Sequence, residues 1–170
     1  GMRSDFMDIY LGANCTFCIS SGTGFDGIPQ IFRRPIAFVN FSPVGYCFTF
    51  SNRFLGIFKH HFSTKSDQNL SLREILMIGV GLSMMTSDYD SKDIMLVENT
   101  PEDIRDLVIE MHERINGIWQ AHDGDELLQQ KFWEIFPTEA LDEFKGQPLH
   151  GVIHSRFGAS FLRNNRWWVE

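Results

Sequence analysis

Apolar and polar residues fall in short blocks along this chain, and the first blocks predict a strand, a small-residue turn, a helix and a second strand. Residues 15–20 form an apolar run bounded by turn residues, the pattern of a buried strand. Ser20-Ser21-Gly22-Thr23-Gly24 makes a tight turn. Phe25, Ile28 and Ile31-Phe32 then recur at helical spacing over 25–33, and Pro35 stops that helix. Residues 36–40 are a second apolar strand. The unit predicts a right-handed parallel βαβ crossover.

The pattern continues less regularly. Ser4 caps a helix over 4–13, with Phe6, Ile9 and Tyr10 on one face and Gly12 able to end it. Pro43 and Gly45 mark a turn, residues 52–62 suggest a short amphipathic helix, and 63–69 read as polar loop. Ser71 with Glu74 is a capping box that opens a helix from Leu72 to about Ile78. Residues 86–93 read as an acidic loop and 94–97 as a third buried strand. Asn99 or Thr100 caps the next helix, with Pro101 in its first turn and Glu102 and Asp103 matching the dipole. Ile104, Leu107, Val108, Met111, Ile115 and Ile118 carry its apolar face to about Gln120. A further helix spans 126–136, a helical turn 138–144, and a short helix or irregular tail 155–164.

These elements predict an α/β fold: a Rossmann-like three-layer fragment with a short parallel sheet of about three strands and additional C-terminal helices. Residues 2–120 form the expected Rossmann-like half-domain and 121–170 a helical extension packed on it. At 170 residues, 43% hydrophobic, with 16 Phe, the chain has ample material for one core. Its net charge of −7 excludes a phosphate-backbone binder, which needs clustered Lys and Arg. No apolar run reaches membrane-spanning length, and no basic region followed by an apolar run suggests a signal peptide. Cys15-x-x-Cys18 has zinc or redox spacing, but it falls on the predicted strand, where residues three apart face opposite sides, and no second pair exists; with Cys47 the cysteines are an odd number, which fits reduced thiols and a cytoplasmic setting.

The turn after the first strand concentrates the candidate chemistry. It lies where open α/β sheets bind ligands, between a strand's carboxyl end and a helix amino end, where free N–H groups and the helix dipole favour an anion. Ser20, Ser21, Gly22, Thr23 and Gly24 are the expected phosphate cradle. Gly22-x-Gly24-x-x-Gly27 matches the dinucleotide fingerprint, but the second strand ends in Asn40 without the acid that holds a ribose, and the helix contains Pro29. Glycines needed only for a tight turn are the alternative. His60-His61 beside Lys59 could meet an anion or end a solvated helix. His112, His122-Asp123, Asp125, His150 and His154 lack metal-ligand spacing, so no metal is expected. No nucleophile elbow, lysine-bearing P-loop or HExxH pattern occurs.

The arrangement resembles the donor-binding, carboxyl-terminal part of GT-B glycosyltransferases, and more specifically a bacterial group of surface-carbohydrate glycosyltransferases. The resemblance rests on Asp8 to Ala13, Cys18-Ile19-Ser20-Ser21-Gly22 and Arg34-Pro35-Ile36. It continues through the runs SSGTGFDGIPQIFRRPIAFVN, the IFK ending in Lys59, LSLREIL, NTPEDIRDLVIEM and SFLRNN. It implies transfer of a sugar from a nucleotide-diphosphate donor, with no metal and no cofactor beyond that donor. The diphosphate would rest on Gly22 to Gly24 with the Ser21 and Thr23 hydroxyls. Asp26 or Gln30 would contact ribose or sugar, and Lys59 would supply a charge. The resemblance covers only the donor half, so catalytic residues are not assigned and activity by the chain alone is open. The first strand would then be a sheet edge, open to self-association or a partner chain. A non-catalytic module that binds a nucleotide, a sugar or a protein is the rival expectation.

Overall fold

The computed structural model describes residues 4–138 and 146–170. Helix α1 (Asp5–Asn14) is capped by Ser4, whose Oγ accepts the Met7 N–H at 3.2 Å. Its buried residue is Gly12, packed so closely on Ile28 that a Cβ there would lie 2.7 Å from Ile28 Cγ2. The face expected to be apolar and buried points outward: Phe6, Ile9 and Tyr10 are exposed, Phe6 by 73%.

The main sheet is parallel and four-stranded, in the order β1-β2-β3-β7. Its strands are β1 (Cys18–Ser20), β2 (Ile36–Phe41), β3 (Phe54–Phe58) and β7 (Arg156–Phe157). Helix α2 (Gly27–Ile31) completes the predicted βαβ unit between β1 and β2. Strands β2 and β3 are buried almost throughout because helices cover the sheet, so they read as continuous apolar runs. The fold is thus Rossmann-like α/β, its parallel sheet having four strands where about three were expected.

Several elements differ from the sequence reading. Residues 52–62 hold no helix; they supply β3 and then β4 (His60–Ser63). Phe54, Ile57 and Phe58 have helical spacing, but a short run buried on both faces carries no period that separates strand from helix. β4 is the middle of a second sheet, antiparallel to both β5 (Gln68–Asn69) and β6 (Ile94–Val97). The predicted third strand is therefore real but belongs to this second sheet; Ile94 is buried and Met95 exposed, as expected of a one-sided antiparallel strand. Residues 86–93, expected as loop, begin with helix α4 (Thr86–Asp90).

Helix α3 (Leu72–Ile78) carries the predicted Ser71–Glu74 capping box and ends at Gly79, left-handed at φ 82°. Helix α5 (Pro101–Ile115) carries a capping box between Thr100 and Asp103, and stops short of Ile118, which is exposed. Helices α6 (Asp125–Ile135) and α7 (Ala159–Asn164) follow, and the expected helical extension also contributes β7 to the main sheet. The helical turn predicted over 138–144 falls almost wholly on residues 139–145, outside the described residues.

Polar side chains fasten the carboxyl-terminal helices. Glu110, buried on α5, accepts the Ala159 N–H at the start of α7 (2.8 Å) and pairs with Arg114 (2.8 Å). Burial holds its carboxyl above the usual range, against the pull of Arg114. Asp125, the first residue of α6, takes both oxygens' bonds from Arg163 Nη1 at 2.7 and 2.8 Å. Between these helices and β3 lies an aromatic stack in which Phe132 and Phe157 are 4.3 Å apart and Trp168 covers both.

Candidate functional site

Ser20 is the last residue of β1, so the glycine-rich turn lies at the carboxyl edge of the parallel sheet, as predicted. The turn is built from its own side chains. Ser20 Oγ accepts the Gly22 N–H at 3.0 Å, and Asp26 Oδ1 accepts the Gly24 N–H at 2.8 Å. Gly22 and Gly24 are left-handed, at φ 79° and 88°, a conformation that favours glycine. Gly22 also lies against the Phe41 ring: a Cβ would stand 2.8 Å from its Cε2.

Asp26 and Gln30, expected at ribose or sugar, are bonded to each other at 3.0 Å, and Asp26 is buried. They hold the turn's shape. Two N–H groups of the expected cradle are thereby engaged within the turn. Ser21 and Thr23 remain exposed, and their hydroxyls have no hydrogen-bond partner among the described residues. Helix α2 is only five residues long, so its dipole is weak.

The neighbouring strand ends meet this turn. Lys59 follows β3, and its N–H donates to Phe41 O at 3.2 Å. Its ammonium is bonded to Glu98 at 2.7 Å. Asn40 bends β2 at φ 51°, where the register with β3 shifts. The bend is fixed by a reciprocal pair: Asn40 N–H donates to Asn99 Oδ1 (2.6 Å) and Asn99 N–H to Asn40 Oδ1 (2.5 Å). Asn99 Nδ2 further donates to Phe58 O at 2.7 Å. Sequence reasoning saw Asn40 as a strand end and Asn99 as a possible cap. It missed their pairing, because nothing local links two residues 59 positions apart.

The remaining candidates scatter. His60 and His61 stand on a strand, not at a helix end. His61 is wholly buried against Tyr89, its Nδ1–H donates to Lys59 O at 3.2 Å, and burial lowers its pKa to about 4. His60 stacks between Phe161 and Trp167. His150 is buried between Gly45 O and Thr49. Cys15, Cys18 and Cys47 are free thiols; burial first, then the charges of Cys15 and Asp26, raise the Cys18 pKa and keep it protonated. Among the described residues no cluster of three or more His, Cys, Asp or Glu is placed to hold a metal. No described helix is long and apolar enough to cross a membrane.

The edge can therefore offer neutral donors to an anionic or polar ligand: two hydroxyls and their backbone, beside a paired Lys–Glu. Compared with family models, with curated proteins and with solved structures, the chain has no significant match.

Proposed function

We propose that this chain is the donor-binding part of a GT-B-type glycosyltransferase, holding the diphosphate of a nucleotide sugar at the carboxyl edge of its parallel sheet. One observation supports the reading above others: an exposed turn with two left-handed glycines connects a parallel strand to a helix, at the edge where such sheets bind ligands. Ser21 and Thr23 make the phosphate contacts in this reading. Gly22 and Gly24 set the backbone shape, and Lys59 joins by exchanging Glu98 for the ligand. No metal is required, since hydroxyl and backbone donors stabilise the leaving diphosphate. The sugar's acceptor is a surface carbohydrate, and the setting is cytoplasmic.

A second reading is favoured by one specific feature. The buried Asp26 carboxylate already occupies the Gly24 N–H, so the turn satisfies itself without a ligand. On that reading the chain is a non-catalytic module that binds a partner through the β1 edge.

A thermal-shift screen of UDP, GDP, CMP and UDP-sugars separates the two. Native-state binding raises the melting temperature by mass action. The donor reading expects a shift with one nucleotide that disappears in Ser21→Ala/Thr23→Ala. Absence of any shift leaves the non-catalytic module.

A further inference from the structure

A cleft of about 410 Å³ opens at the opposite, amino-terminal edge of the same sheet, lined by Asn52, Arg53, Arg114 and Arg156 over a floor of Leu55 and Met111. Its position follows from the topology. Pro35 precedes β2, Asn52 and Arg53 precede β3, and Arg156 begins β7, so parallel strands bring these residues to one end. The α5 residues Met111 and Arg114 close the side.

Three arginines line this cleft in a chain whose net charge is −7. Two carboxylates answer them in part. Glu110 is buried and binds Arg114 Nε and Nη2, while also accepting the Ala159 N–H. Glu126 pairs with Arg156 Nη2 from an exposed position. Arg53 is exposed and has no ion-pair partner among the described residues. Arg114 is further steadied by Trp119, 4.8 Å from its guanidinium carbon. The cleft thus holds a surplus of positive charge, with two of its three arginines held in place beforehand. The volume lies in the range of small-molecule sites, and several arginines lining one space suit a tetrahedral oxyanion.

We infer that this cleft binds a small phosphomonoester, its phosphate on Arg53, Arg114 and Arg156 and its carbon skeleton against Leu55 and Met111. The site is independent of the glycine-rich turn, which stands at the other end of the strands. A concave pocket of this size on an otherwise acidic chain fits a small anion and not a nucleic acid.

Calorimetric titration of the full chain with inorganic phosphate, phenyl phosphate and succinate tests this. Phenyl phosphate should bind more tightly than inorganic phosphate, because the floor is apolar. Arg53→Gln, at an exposed position, should weaken both by roughly tenfold or more through loss of a charge-assisted contact. The cleft's own binding is read in Ser21→Ala/Thr23→Ala, which removes the turn's proposed phosphate contacts; both compounds should still bind there and lose that binding when Arg53→Gln is added. The inference is overturned by no phosphate binding at millimolar concentration, by binding in the turn double variant that survives Arg53→Gln, by preference for succinate, or by loss of all binding in the turn double variant. That last result would support the carboxyl-edge reading while removing this one.

Discussion

His61 illustrates how one buried side chain sets the behaviour of the whole fold. It has no solvent exposure, its Nε2 has no hydrogen-bond partner, and it faces Tyr89 and the neighbouring His60. A charged imidazole would be costly there, so burial lowers the folded-state pKa from 6.5 to about 4. The unfolded chain binds the proton first as pH falls. Above pH 6.5 both states are neutral and nothing is lost. Between that value and about 4, stability drops by about 1.4 kcal/mol per pH unit from this residue alone. His60, whose pKa burial also lowers, adds to the same trend. Glu110 acts in the opposite sense, since burial raises its pKa. The residue's own share is the difference between denaturation curves of the parent and His61→Gln across that window. The difference should be constant above pH 7 and shift against the parent on acidification. A pH-independent difference would remove this assignment.

At the scale of elements, what was legible in the sequence is what is decided within four residues. The boxes Ser71–Glu74 and Thr100–Asp103 place the starts of α3 and α5, because side chain and backbone bond across a single turn. The turn from Ser20 to Gly24 is legible for the same reason. Strands β3 and β4 are not, since they are strands only because β2, β6 and β7 lie beside them. Nor could the Asp26 carboxylate be seen entering the turn, although both its partners lie within four residues; an acid after glycines suggests a helix start equally well. The Asn40–Asn99 pair is the extreme case, joining the end of β2 to the start of α5. Asn99→Ala would leave Asn40 N–H and Phe58 O without partners. It should cost about 1–3 kcal/mol in denaturant unfolding, with the slope unchanged. Because Phe41 carries Gly22, the same variant should also disturb the turn, visible as shifted amide resonances at Ser21 and Thr23.

Across the molecule, the two edges of the main sheet are treated differently. At β7, the Gln129 amide stands in for a strand: it donates to Phe157 O at 2.6 Å and accepts Phe157 N–H at 3.1 Å. At β1 no further strand follows among the described residues, and Ile19 is 49% exposed. Phe6, Leu11, Phe25 and Ile31, on the segments that precede and follow β1 in the chain, are exposed as well. Gln129→Ala should uncover β7 and make the protein aggregate with rising concentration, measurable by light scattering. Unchanged scattering would show that the amide serves packing alone. A sheet closed at one end has a valency of one for strand-wise assembly. Two such molecules that joined through β1 would leave no further edge of the main sheet to extend, so growth through that sheet would terminate at a pair and never propagate into a filament.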